Sequence, residues 1–263
     1  MKSNMIVGLM LISILLLVGC GNDLEILEPV DLADPFVGPE DAEIVVIEYS
    51  DFQCPYCGAA AGINDQLIGQ FKSQHAGWEP AVVGLKALAA EGKIKLVFKH
   101  FPLGFHNYAQ KAAEAAEAAS AQGMFWEYHD KLFANPNDLS EKDLIKYAGE
   151  VGLDVDQFTR ELQGEAYAAS VKRDALEGSR AGVTGTPSFF VNGVMFEGAQ
   201  PFSAIEAEIN KLLAASAEDT MEDAVETKEQ MADEELTEED AEEMGGESSD
   251  DEVSMGDEST SEE

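Results

Sequence analysis

Positive charge is scarce in this chain of 263 residues: 16 Lys and Arg stand against 52 Asp and Glu, a formal net charge of -36. So large a deficit excludes the cationic grip on phosphates that nucleic-acid binding needs. Nor is there a long apolar run. The N-terminal stretch from Met5 to Val18 has 14 residues, short of the roughly 20 a membrane-spanning helix requires. Cysteine is limited to three residues and histidine to four. His75, His100, His106 and His129 show no Cys/His ligand spacing, and two Cys alone cannot complete a four-ligand structural zinc set, so no metal and no cofactor is expected. Against these shortages, 45% of the residues are hydrophobic, which excludes a chain disordered throughout.

The charge is unevenly placed. From Glu218 to Glu263 there are 22 acids and one Lys, with almost no aromatic or β-branched residue to offset chain entropy by burial. Residues 218–263 are therefore expected to form a disordered, solvated acidic tail, with a weak Ca²⁺ or cationic-surface contact as the alternative. At the other end, Met5 to Val18 suits the apolar region of a secretory signal. It runs into Leu17-Val18-Gly19-Cys20, which resembles the lipobox of bacterial lipoproteins. That resemblance implies a signal peptide over 1–19, lipidation of Cys20 as the mature N-terminus, and a lipid-anchored linker over 20–34. An uncleaved signal anchor with an incidental Cys20 is the other reading, and both place the rest of the chain outside the cytoplasm. What remains, 35–217, is enough for one buried core and too little for two typical domains.

Removing Cys20 leaves one pair, Cys54 and Cys57. Two Cys three apart make a poor structural staple, because the loop they close barely constrains the unfolded chain. In an exported protein, where oxidation is permitted, redox chemistry explains them better. Ile44-Val45-Val46-Ile47 reads as a central strand buried on both faces and leads through Glu48-Tyr49-Ser50-Asp51-Phe52-Gln53 into Cys54-Pro55-Tyr56-Cys57. Ala59, Ile63, Leu67 and Phe71 recur every four residues, an apolar stripe on one helix starting near Cys54. Pro55 suits its first turn. A thiolate at such a terminus faces unpaired N–H groups and the positive end of the helix dipole, which brings its pKa into the range of roughly 3.5 to 7.5. Cys54 is thus expected to be the exposed nucleophile and Cys57, one turn inside, the resolving thiol.

Three blocks in order carry a resemblance: Glu48-Tyr49-Ser50-Asp51-Phe52-Gln53-Cys54-Pro55-Tyr56-Cys57-Gly58, Lys95-Leu96-Val97-Phe98-Lys99-His100-Phe101-Pro102-Leu103, and Gly185-Thr186-Pro187-Ser188-Phe189-Phe190-Val191-Asn192-Gly193. The chain resembles the DsbA-family thiol-disulfide oxidoreductases of the BdbD-like lipoprotein sort, over about 35–215. The resemblance implies an α/β thioredoxin fold with a helical insertion at about 105–181, Pro187 as a cis-proline beside the disulfide, and Glu48 as a buried acid relaying protons to Cys57. It also implies exported protein thiols as substrates and a membrane partner that reoxidises the pair. The residues agree independently in part. Asn192-Gly193 between two apolar runs signals a hairpin with a type I′ turn, and Thr186-Pro187 before it can hold a cis bond. Helices are expected at about 106–122, through Phe125, Tyr128 and Leu132, after a Ser140 cap with Asp143 three later, at about 165–181, and last at about 203–214. The connection from Phe71 to Lys93 departs from the family's short step, and either reshapes the surface near the thiols or extends a distal loop.

Glu48 has a rival reading as a solvated charge at a strand end. Lys99 could balance it across the sheet but reads more simply as a surface Lys. Pro55, Tyr56 and Thr186 are expected to meet substrate, while Trp78 and Trp126 read as packing residues. The function read from the sequence is an extracytoplasmic, membrane-tethered oxidoreductase that introduces disulfides. The alternatives are a reductase or isomerase, or a non-enzymatic surface protein presenting its acidic tail.

Overall fold

A computed structural model describes residues 34–216. The signal segment, Cys20, most of the linker and the acidic tail lie outside the described residues. Five strands form one mixed sheet in the order β1-β3-β2-β4-β5: β1 (Phe36–Val37), β2 (Val45–Ser50), β3 (Lys95–His100), β4 (Ser188–Val191) and β5 (Val194–Glu197). β2 is central, parallel to β3 and antiparallel to β4, so the apolar run read as a doubly buried strand has sheet on both sides.

Strand alternation divides β2 into two chemically different faces. Ile47 and Tyr49 join Val97, Phe101, Val183 and Phe190 in one cluster, with Tyr49 edge-on to both Phe101 and Phe190. Glu48 pairs with Phe98 of β3, and Phe98 belongs to the other cluster, which holds Cys54, Cys57, Phe52 and Phe133. Burying one such Phe stabilises the fold by about 1.5–3 kcal/mol.

Between β2 and β3 lie α1 (Pro55–Ala60), α2 (Asp65–Gln74) and α3 (Ala81–Ala90). The single helix expected from the four-residue recurrence is broken. Gly62 takes φ +79°, and a Cβ there would meet Val83 of α3 at 2.4 Å, so the chain turns where only glycine fits. The Gly58 carbonyl accepts the N–H groups of Ile63 and Asn64, and Asn64 caps α2 by accepting the Leu67 N–H at 3.1 Å. No residue of α2 is buried.

The insertion comprises α4 (Ala109–Ser120), α5 (Phe125–Phe133), α6 (Glu141–Val151), α7 (Val155–Gln163) and α8 (Ala168–Arg180). Ser140 caps α6 as its spacing implied. α7 is an addition to the helices expected, and buries only Phe158 and Leu162. The hairpin β4-β5 turns through Asn192 at φ 43° and Gly193 at φ 91°. A helix runs over 202–216. The chain divides into compact units at Glu206, and the sheet and thiols lie in the first. Among the described residues no helix is long and apolar enough to cross a membrane. The architecture is the expected thioredoxin fold with an inserted helical subdomain.

Lys99 corrects its reading as a surface residue. Its register partner is Tyr49, one residue out of step with Glu48, so it points to the opposite face and cannot balance that acid. Its ammonium lies 2.8 Å from Asp34, 2.7 Å from Glu177 and 3.6 Å from Asp174. Burial works against its charge, but Asp34, Glu177 and Asp174 outweigh it and hold its pKa above the ordinary lysine value. Lys99→Met should cost about 3–5 kcal/mol, because it strands buried carboxylates. Urea unfolding checks this, and the loss should shrink at acid pH as Asp174, whose pKa burial raises, takes up a proton; an unchanged midpoint at pH 7 would contradict it.

Candidate active site

β2 ends at Ser50, and a short turn delivers the chain to Cys54, the N-cap of α1. The turn is pinned by Asp51, whose side chain has no solvent exposure. Its Oδ1 accepts the Gln53 N–H at 2.8 Å. Its Oδ2 accepts the Leu103 N–H at 2.8 Å and lies 2.7 Å from His106 Nδ1. The Asp51 carbonyl takes the Cys54 N–H at 3.0 Å, and Gln53 Oε1 accepts the Tyr108 N–H at 2.9 Å. The position of Cys54 thus depends on the loop after β3. Asp51 and His106 carried no assigned role in the sequence, since residues 55 apart leave no local signal of their pairing.

Cys54 and Cys57 are unbridged and meet on one side of the sheet. Cys54 is 4% exposed, so the thiol expected to be an open nucleophile is recessed; Cys57 is fully buried. The Cys54 thiol faces the Thr186 carbonyl at 3.4 Å, and the Thr186–Pro187 bond is cis. The two sulfurs differ most in proton affinity. A hydrogen bond from the Cys57 thiol, opposed by burial and helped by the Cys57 and Tyr56 N–H groups, lowers the Cys54 pKa from 9.0 to about 6. Burial pushes Cys57 well above its ordinary value, and the bond it donates to Cys54 raises it further. The Cys57 and Tyr56 N–H groups are the helix-terminal donors expected, while α1 is only six residues long and the Cys57 thiol makes the larger contribution.

Glu48 is 0% exposed and sits within β2, not solvated at its end. Burial raises its pKa from 4.5 to about 7, against a lowering by Ser50 and by the charge of Lys86. Lys86 belongs to α3, where it also stands 3.5 Å from Asp130 and 4.5 Å over the Trp126 ring. The long connection therefore supplies a charge to the site. It also shapes the surface: Tyr56, 52% exposed, is 6.1 Å from Phe71, and Phe71 stacks on Trp78 at 4.7 Å. Trp78 donates to the Ala199 carbonyl at 3.0 Å. Phe71, His75, Trp78, Ala199, Gln200 and Pro201 are among the residues lining a cavity of about 310 Å³. Pro55 opens α1 as expected. Among the described residues His100, Glu117 and Asp174 could be drawn around an ion, their ligand atoms within 4.8 Å. The Lys99 ammonium, 3.6 Å from Asp174, already supplies positive charge there.

In the reduced protein, iodoacetamide should label Cys54 with a pH midpoint near 6 and, at pH 6–7, at least about tenfold faster than Cys57, since the thiolate is the nucleophile. Peptide mapping of the alkylated protein checks this, and equal labelling would contradict the asymmetry.

A family model described as the DSBA-like thioredoxin domain matches residues 45–210. A thioredoxin-like oxidoreductase from Silicibacter pomeroyi DSS-3 superposes with a TM-score of 0.57 at 25% identity, covering 74% of this chain and 98% of that one. Oxidised BdbD from Bacillus subtilis gives 0.54 at 22% identity over 68% and 92% of the two chains, a likeness of fold. Among curated proteins, a Na(+)/H(+) antiporter NhaA 3 from Salinispora tropica is 38% identical over 195 residues, 73% of this chain and 27% of the antiporter. The chain thus spans about a quarter of the length of the curated relatives it matches. With the CxxC pair at the head of α1, the acid buried behind it and the three sequence blocks brought to one end of the sheet, the chain belongs to the DSBA-like thioredoxin domain family.

Proposed function

We propose that the chain is a thiol-disulfide oxidoreductase that exchanges its Cys54–Cys57 disulfide with protein thiols, in the direction of disulfide formation. The observation that carries this is the opposite displacement of the two thiol pKa values. A stabilised Cys54 thiolate favours the reduced enzyme, which makes the disulfide more oxidising. A substrate thiolate attacks Cys54 Sγ. The Cys54–Cys57 bond breaks, its electron pair stays on Cys57, and Cys57 takes a proton from Glu48. A second substrate thiolate then attacks the substrate sulfur of the mixed disulfide and expels Cys54 as a thiolate. Thr186 and Pro187 border Cys54, and exposed Tyr56 offers a contact for substrate.

The Met5–Val18 stretch ending in Gly19-Cys20 supports an exported, lipid-anchored protein acting outside the cytoplasm on exported thiols, with a membrane partner reoxidising the pair. The antiport named for the Salinispora relative belongs to a protein of which 27% is matched, and plays no part in this proposal.

Cys57→Ser should accumulate mixed disulfides with exported proteins, because the resolving attack is gone, whereas Cys54→Ser should trap almost none. Non-reducing gels of the membrane fraction check this; trapping by Cys54→Ser alone would reverse the roles. A redox titration of the pair tests the direction, and a potential as reducing as that of thioredoxin, about -270 mV, would make it a reductase.

Glu48→Gln should slow exchange between pH 6 and 8 while leaving the protein at least as stable. A carboxyl whose folded pKa is raised contributes stability below the unfolded value of 4.5 and loses it as pH rises through about 7. That displacement corresponds to about 3 kcal/mol, so the Gln variant should gain on the wild type toward pH 8 and lose the advantage near pH 4. Denaturant unfolding at both pH values measures it.

A further inference from the structure

β2 carries a second polar residue on the face that holds Glu48. Side chains two apart on a strand point the same way, so Ser50, like Glu48, faces the cluster of Cys57 and Phe98, away from the Tyr49 cluster. Ser50 is 1% exposed. Its hydroxyl oxygen and both carboxylate oxygens of Glu48 are buried and without a hydrogen-bond partner. Buried polar atoms are nearly always paired, and an unpaired group in a native interior calls for a reason. Here three such atoms stand on one strand, on the face whose cluster holds Cys57.

Proton transfer supplies the reason. Glu48 and Ser50 are spaced by two residues of extended chain, roughly 6.6 Å, and Ser50 stands near enough to both Glu48 and Cys57 for its hydroxyl to favour their charged forms. An ionised carboxylate only accepts, whereas a hydroxyl accepts and donates at once. The remaining buried hydroxyl without a partner at this site, Thr186 Oγ1, acts on Cys54 and Cys57 from the loop before Pro187.

We propose that Ser50 is the hydroxyl through which a proton passes between Cys57 and Glu48, a role that rests on the thiol-exchange reading above. When Cys57 resolves a mixed disulfide, its S–H proton goes to Ser50 Oγ as the Ser50 proton goes to the Glu48 carboxylate. The Cys57–Cys54 bond forms, the bond from Cys54 to the partner sulfur breaks, and the electron pair leaves on that sulfur. In the opposite direction the Glu48 proton returns through the same hydroxyl to the Cys57 thiolate. Ser50 ends each passage neutral.

The test follows the reduced full-length protein mixed with oxidised glutathione, quenched with acid and resolved by mass into the Cys54–glutathione adduct and the internal disulfide. Ser50→Ala should slow the second step, adduct to disulfide, at least about tenfold at pH 7, within the range removed with an acid–base group. Ser50→Thr, which keeps the hydroxyl, should restore it, and the Cys54 alkylation midpoint should stay in place. Ser50→Ala at the wild-type rate beside a slow Glu48→Gln would overturn the Ser50 role and leave Glu48 as acceptor. Wild-type rates in both would overturn the relay together with the Glu48 reading. Equal slowing by Ala and Thr would mark a packing effect and overturn the proposal. Should Ser50→Ala fail to fold, the second step of the wild-type protein in mixtures of light and heavy water decides. A curved dependence on deuterium fraction means two protons in flight and supports the hydroxyl; a straight line, one proton, overturns it.

Discussion

The Cys54 thiolate is held by a proton that Cys57 is reluctant to release. That hydrogen bond lowers one thiol and raises the other, and its strength comes from the dryness of the place where it is made. Cys54 is 4% exposed and Cys57 0%, so water and salt screen the interaction little. Most of the surrounding structure keeps that pocket closed. Phe52 stacks on Phe98 and leans on Phe133, while the Asp51 carboxylate secures the turn above. A reactive group is thus stabilised by a neighbour that becomes reactive only after losing the same proton.

The two faces of β2 share the electrostatic work without mixing it. On one, Glu48 is buried with no full counter-charge and its pKa is raised to about 7, as the proposed proton transfer requires. On the other, Lys99 is enclosed by Asp34, Asp174 and Glu177, so its charge is spent on acids of that layer. One residue of register separates these arrangements. Had Lys99 shared the face of Glu48, a buried ion pair would have pulled the acid down into the ordinary carboxylate range and removed it from neutral-pH chemistry.

Features with local chemistry were legible in the sequence: the β-branched run of β2, the Cys54-Pro55-Tyr56-Cys57 turn, the Asn192-Gly193 hairpin and the Ser140 cap. Each is encoded within a few residues. What escaped depends on distance or on a competing pattern. The apolar recurrence from Ala59 to Phe71 runs through the break at Gly62, and its second member, Ile63, lies in the turn between the two helices. α7 escaped because only Phe158 and Leu162 are buried, too few to show a stripe. The Asp51–His106 pair, the enclosure of Lys99 and the approach of Lys86 to Glu48 join segments far apart in sequence, where composition carries no trace of them. Asn192 combines both cases. Its turn role was visible, but its side chain also accepts the Val45 N–H at 2.8 Å and donates to the Glu43 carbonyl at 3.1 Å, tying the hairpin to the start of β2.

α2 buries none of its residues, yet its Phe71 stands between Tyr56 and Trp78. A helix held so lightly opens locally at a small fraction of the free energy that unfolds the sheet, and its amides should exchange with solvent well before those of β2 and β3. The thiols are packed in the buried cluster of Phe52, Phe98 and Phe133, so they and the surface beside them should differ in rigidity. Under the proposed function, such a division would let one fixed thiol pair meet protein substrates of many shapes, since the cost of fitting each one would fall on a segment that has little packing to lose.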